Sequence, residues 1–191
     1  DVGETQAVLN IWGTLHSTGY PLYVMVSSGL VALLRDGFGL SAAVAPAVTS
    51  LIYGVMALGL FYALVVRILA TSDRLPATHN QPLAITHELS AQASFLIPTV
   101  VTILFGLLRT VWIHSVIAEI YSFVLVILLA LLWIALLPLS QRERGLAGEG
   151  LIYRLALIGG IGVFHHRAII MAAPALLVAV WGDFLNPYPP A

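Results

Sequence analysis

The chemistry open to this chain is concentrated in three places. The first is the opening Asp1-Val2-Gly3-Glu4 with the turn His16-Ser17-Thr18-Gly19-Tyr20-Pro21, where carboxylates, a histidine and turn residues stand directly before a strongly apolar run. A carboxylate at such a wet margin can take the proton from an attacking hydroxyl. Asp-x-x-Glu is also the spacing of a capping box at a helix start, and the same two residues can serve both ends. The second place is a polar island between two hydrophobic runs, formed by Arg109, Trp112, His114 and Glu119. The third is His165-His166-Arg167, in the middle of an apolar stretch. Ionisable groups at that depth are costly to bury, which makes them functional candidates. Two adjacent histidines do not suit a zinc site, because consecutive helical residues diverge by about 100°.

The elements that must position these groups are helices solvated by lipid. Sixty per cent of the residues are hydrophobic and nine per cent are charged, against about a quarter charged in an ordinary soluble domain. Mean hydropathy is +0.98. A hydrocarbon core takes roughly 20 apolar residues per crossing, and the chain supplies such runs repeatedly. Long Leu, Ile, Val and Ala runs without alternation predict helices, which satisfy their own backbone in lipid, and not a barrel. The fold class is therefore all-α, a polytopic transmembrane bundle. The net charge is −1 and the eight basic residues are arginines scattered at segment ends, so no basic patch addresses nucleic acid. The absence of cysteine excludes disulfides and thiolate metal sites.

In chain order, Val8, Ile11, Trp12 and Leu15 recur at helical spacing and predict an amphipathic interfacial helix anchored by Trp12, with Asp1 and Glu4 on one side. Gly13 and the His16 turn end it, and Pro21 suits the first turn of the next helix. Residues 22–34 are apolar but short, and Arg35–Gly39 reads as a tight polar turn. The best span lies within residues 43–69, ending near Arg67, and residues 71–87 form a loop. Residues 89–108 form the next span with a kink at Pro98, residues 120–141 another, and residues 155–182 the last. The positive-inside rule places the Arg142–Arg154 loop in the cytoplasm. Four full crossings from an outside Asp1 would instead return residue 142 to the outside. Either segment 22–34 or segment 89–108 is then re-entrant or interfacial, or the charge rule does not hold here. From the start at Asp1 and the stop just after a hydrophobic run, the expectation is a single transmembrane domain, residues 1–191, that is a piece of a longer protein. Residues 1–21 form its loop and interfacial helix, and residues 22–182 its membrane helices.

The opening resembles the signature of a family of bacterial membrane proteins related to the transmembrane protein 260 type protein O-mannosyltransferases, in the GT-C glycosyltransferase superfamily. That family shows Asp-x-Gly-Glu and then His-Pro-Pro-Gly-Tyr-Pro-Leu. This chain has Asp1-Val2-Gly3-Glu4 and His16-Ser17-Thr18-Gly19-Tyr20-Pro21-Leu22. Ser17-Thr18 replace two prolines and leave the turn less rigid. Arg109-Thr-Val-Trp112 with Ala118-Glu119-Ile120-Tyr121 is similar to the family's aromatic segment, and Gly162-Val-Phe-His165-His166 to a later histidine-containing helix. The resemblance implies a GT-C fold with an acidic residue of the first extracytoplasmic loop at the catalytic centre. It also implies a sugar carried on a polyprenyl phosphate and transferred outside the cytoplasm with inversion. By the same resemblance the setting is a bacterial inner membrane.

On that basis Asp1 is the expected base, with Glu4 orienting it, assisting it, or helping to hold a divalent ion; no cofactor is otherwise called for. The departing phosphate asks for cationic donors, and Arg109, His165, His166, Arg167 and His16 are the candidates. Tyr20 is a candidate for sugar stacking, and Glu119 for a cavity-facing contact. Bland roles stand beside these: Arg109 snorkelling to the interface, the His-His-Arg triplet bridging helices, and Glu119 pairing with Arg109 or His114. The expected partners are the lipid-linked donor, a protein or cell-envelope glycan acceptor, and the bilayer. Two other functions use the same residues: a transporter with a relay through His165, His166 and Glu119, and a non-catalytic membrane subunit in which the acids only cap.

Overall fold

A computed structural model describes residues 2–16, 20–72, 85–135, 156–162, 170 and 173–174, and every regular element in them is helical. In chain order these are α1 (Val2–Ile11), α2 (Pro21–Ala32) running into a π-helical turn (Leu33–Gly37), α3 (Val44–Ser72), α4 (Ile85–Leu107), α5 (Arg109–Val116) and α6 (Tyr121–Ala135). Asp1, the Arg142–Arg154 loop and His165-His166-Arg167 lie outside the described residues.

The ends of α1 and α2 show why the chain doubles back between them. Trp12 takes a left-handed backbone with φ 55°, and Gly13 N–H reaches Val8 O at 3.1 Å. That 6→1 bond closes a Schellman motif. The sequence assigns the stop to Gly13; the left-handed position is in fact the tryptophan's, and glycine supplies the following N–H. Tyr20 is also left-handed, with φ 43°, immediately before Pro21 opens α2. A bulky residue in that region is strained by roughly 1–2 kcal/mol, and Tyr20 is held there by packing against the buried core. Trp12 stays largely exposed, whereas Val8 and Leu9 on the other face of α1 are buried.

The expected turn at Arg35–Gly39 is instead a π-helical turn to Gly37, followed by Gly39 at φ 70°. The wider winding accompanies a specific contact: Arg35 Nη1 donates to Asn10 Oδ1 at 2.8 Å. Asn10 Nδ2 in turn donates to Ala42 O at 2.8 Å, and Gln6 Nε2 to Ala43 O at 3.3 Å. These bonds fasten α1 to the segment that leads into α3.

Among the described residues one helix, Val44–Leu69, is long and apolar enough to cross a membrane, in agreement with the run at 43–69. Helices take both ends of the loop expected at 71–87, since α3 continues to Ser72 and α4 starts at Ile85; residues 73–84 lie outside the described ones. Pro82 is the last breaker before Ile85, so nothing after it opposes a helix. Helix α4 runs unbroken through Pro98, and the break comes ten residues later, where Leu108 is extended (ψ 129°) and α5 leaves at 68°. Taken as one bent span, Phe95–Leu107 of α4 and α5 bring the candidate crossings among the described residues to two.

The helices converge on Tyr23, Tyr53 and Phe123, whose rings meet at 5.8 Å and 5.0 Å about the phenylalanine. Val8, Leu9 and Leu15 join the same cluster. Farther along, Phe61 stacks on Phe105 at 4.1 Å and Arg67 lies over Trp133 at 5.7 Å. Helix α6 thus runs parallel to α3 while α4 runs against it.

Candidate active site

The doubling back after Trp12 returns His16 to the first turn of α1. Its backbone N–H donates to Glu4 Oε1 at 2.7 Å, and its ring Nδ1 donates to Glu4 Oε2. An ionised carboxylate only accepts, so Nδ1 carries a proton. The Glu4 side chain is about a quarter exposed and the His16 ring two-thirds exposed (26% and 67%), which places the pair at a solvent margin. The His16 backbone N–H, and then its ring, hold the Glu4 carboxyl below its ordinary range. A carboxyl depressed in the folded state stabilises above its unfolded pKa and loses that contribution as pH falls through the folded value. Acidification below the usual glutamate range is therefore expected to release the turn. The measure is hydrogen-exchange protection of the His16 amide, corrected for intrinsic rate; E4Q should show the weakened state already at neutral pH.

A second carboxylate–imidazole pair forms between α5 and α6. His114 Nδ1 lies 3.0 Å from Glu119 Oε2, with the two side chains 29% and 16% exposed. Of the two partners open to Glu119, the structure selects His114. Arg109 starts α5 one and a half turns earlier, exposed at the bend. The segment bearing Glu119 is held by hydroxyls: Glu119 N–H donates to Ser50 Oγ at 3.3 Å, Ser50 Oγ donates to Glu119 O at 3.4 Å, and Ser122 Oγ donates to His114 O. The Tyr121 ring packs against the imidazole at 4.6 Å.

Both pairs belong to the same end of α3. Helix α1 is tied to Ala42 and Ala43, and Glu119 to Ser50, which is about 10 Å farther along the helix at 1.5 Å per residue. Tyr23, fully buried in the first turn of α2, packs on Phe123 in the cluster that also holds Val8, Leu9 and Tyr53. Tyr20, half-buried, packs against the same core. The structure thus unites Glu4 with His16 and Glu119 with His114, packs Tyr20 against the core, and gives Arg109 no ion pair with either group among the described residues. Ser50 and Tyr23 escaped the sequence reading, although Thr49-Ser50 inside a charge-free run was a signal that something polar is met there. Among the described residues no group of three or more histidine and acidic side chains is placed to hold a metal ion.

The family model of the protein O-mannosyl-transferase TMEM260 N-terminal domain matches residues 1–183. The chain belongs to this family. No curated protein and no solved structure matches it. A protein O-mannosyl-transferase domain implies, in general terms, a sugar donor and a protein acceptor. The TMEM260 match takes in all three sequence motifs, including the histidine triplet outside the described residues.

Proposed function

We propose that this TMEM260-type domain is part of a polytopic GT-C membrane glycosyltransferase. It moves a mannose-like sugar from a polyprenyl-phosphate donor to a hydroxyl of a protein or cell-envelope glycan outside the cytoplasm, with inversion at the anomeric carbon. The observation that carries the reading is the Glu4–His16 clamp, which fixes the acidic motif of a mannosyltransferase family at a solvent margin.

Both Glu4 oxygens are engaged by His16 and its carboxyl is depressed, which suits positioning better than proton uptake. Asp1 is then the base. As the acceptor oxygen bonds to the anomeric carbon, its proton passes to the Asp1 carboxylate and the bond from that carbon to the phosphate oxygen breaks, leaving the electron pair on the phosphate. Charge growing on the phosphate is met by imidazole and guanidinium donors, His16 and the His165-His166-Arg167 group. Glu119 orients His114 at the same end of α3, and Tyr20 offers a ring to the sugar. Arg109, at the far end of α5, is left out of this centre.

The test supplies membranes holding the full-length protein with a mannosyl polyprenyl phosphate. The expected result is labelled sugar on protein or envelope glycan, with the anomeric configuration opposite to the donor's. Absence of transfer, together with pH-dependent flux of a small solute in proteoliposomes, would replace this reading with a transporter.

A further inference from the structure

We infer that Asn10 is a positioning residue for sugar transfer: it fixes α1, and with it the acidic motif at the start of α1, on the first turn of α3. The inference rests on the glycosyltransferase reading above and adds to it the means by which that motif is aimed. Asn10 acts through the helix that carries it and not on the sugar or the phosphate.

The reason lies in one proline. Ala45 N–H already reaches Ser41 O at 3.0 Å, the bond that starts an α-helix, yet the regular helix begins only at Val44. Next in that ladder Ala42 O would accept from residue 46, which is Pro46, fully buried and without an N–H. The carbonyl is left with no donor from its own helix, and such groups find one elsewhere. Asn10 Nδ2 supplies it at 2.8 Å.

The rest of the Asn10 amide is committed as well. Nδ2 also donates to Gln6 O at 2.7 Å, and Oδ1 accepts from Arg35 Nη1 at 2.8 Å. A guanidinium only donates, so Arg35 can meet only the oxygen, and the NH2 group must then face the two carbonyls. One side chain thus joins α1, the π-helical turn and the start of α3. Gln6, one turn earlier on the same face of α1, adds its own bond to Ala43 O. Glu4 stands on the same ten-residue helix, about 9 Å before Asn10 at 1.5 Å per residue. A tilt of α1 at Asn10 therefore displaces the acidic motif.

The experiment compares the full-length wild type, Asn10→Leu, Pro46→Ala and the double variant, with a mannosyl polyprenyl phosphate as donor. Leucine keeps the size of asparagine and removes its hydrogen bonds. Pro46→Ala gives Ala42 O an N–H from within α3, so it relieves the carbonyl without rebuilding any bond to α1. Asn10→Leu should lower the melting temperature and reduce kcat about 10- to 100-fold, the scale of a small misplacement, while KM for the donor holds. The double variant should regain most of the melting temperature with kcat still low. Position is read separately, by the distance between spin labels on cysteines introduced at the exposed Ile11 and Met56. That distance should be narrowly distributed in the wild type and in Pro46→Ala, and broad in both variants that lack Asn10. Recovery of kcat together with melting temperature in the double variant would reduce Asn10 to a packing residue. A melting temperature that stays low would remove the part given to Pro46, and wild-type kcat in Asn10→Leu would end the assignment. Absence of transfer by the wild type itself would instead sink the glycosyltransferase reading, and the inference with it.

Discussion

Asp1→Asn in the full-length protein is expected to lower sugar transfer by about 100- to 10,000-fold, the range a positioned general base contributes, with membrane levels of the protein unchanged. Asparagine keeps the size and can still cap a helix start, so the substitution separates proton transfer from capping. Glu4→Gln should behave differently. His16 presents two donors to Glu4, its backbone N–H and its ring Nδ1, and an amide has only one acceptor oxygen to offer them. One donor then faces an NH2 group, and the turn loosens without the base being lost. A loss of about tenfold is expected for E4Q, below the range for a missing base, together with the weakened His16 amide protection. Full transfer by Asp1→Asn at matched protein levels would remove the proposed base. Equal, small losses for both variants would favour a capping role alone.

Gly54→Leu is the second substitution expected to have a large effect, and it acts through packing. A β-carbon on Gly54 would stand 2.5 Å from Ser115 Oγ, 2.7 Å from Ser115 Cβ and 3.6 Å from Ser115 Cα. The obstruction belongs to a short side chain fixed to α5, so the helix itself must move. Small residues at helix contacts permit this close approach in membrane proteins, and overfilling such a contact costs about 1–3 kcal/mol. The consequence extends beyond stability. Ser115 follows His114 directly, and Ser50, which holds Glu119, lies one turn before Gly54 on α3. Pushing α5 away therefore pulls His114 and Glu119 from Ser50, and a loss of transfer is expected along with a lower melting temperature. A double-mutant cycle with the smaller Gly54→Ala checks the cause. Adding Ser115→Gly should recover stability with a coupling of about 0.5–3 kcal/mol, and additive effects would show that the contact is not the reason.

The residues themselves announced the long apolar helix and the acidic motif, each for a local physical reason. A charge-free run of 30 residues (37–66) has few ways to satisfy its backbone in lipid other than by closing hydrogen bonds within the run, so its helix begins at Val44, beside the expected start at 43. The spacing of Val8 and Leu15 and the place of Pro21 likewise speak through nearest neighbours along the chain. The bend was legible only as a misfit in the count of crossings. Pro98 drew the kink by its chemistry, whereas the backbone turns at Leu108, two residues after Gly106, where an added β-carbon would meet Leu58 at 3.1 Å. That is a tertiary contact, and no local pattern encodes it.

The same division separates the parts of the candidate site. Its residue types were determined by the chain alone, since a glutamate and a histidine beside apolar runs must meet water or each other whatever the fold. Which of them meet was decided by packing: Glu4 with His16 across 12 positions, and Glu119 with Ser50 across 69. Such pairs form when helices are close enough for short hydroxyls and carboxylates to touch, and that closeness depends on side-chain volumes at facing positions such as Gly54 and Ser115. Periodicity along one helix carries the identity of its buried face, but it carries nothing about the residue waiting on the neighbouring one.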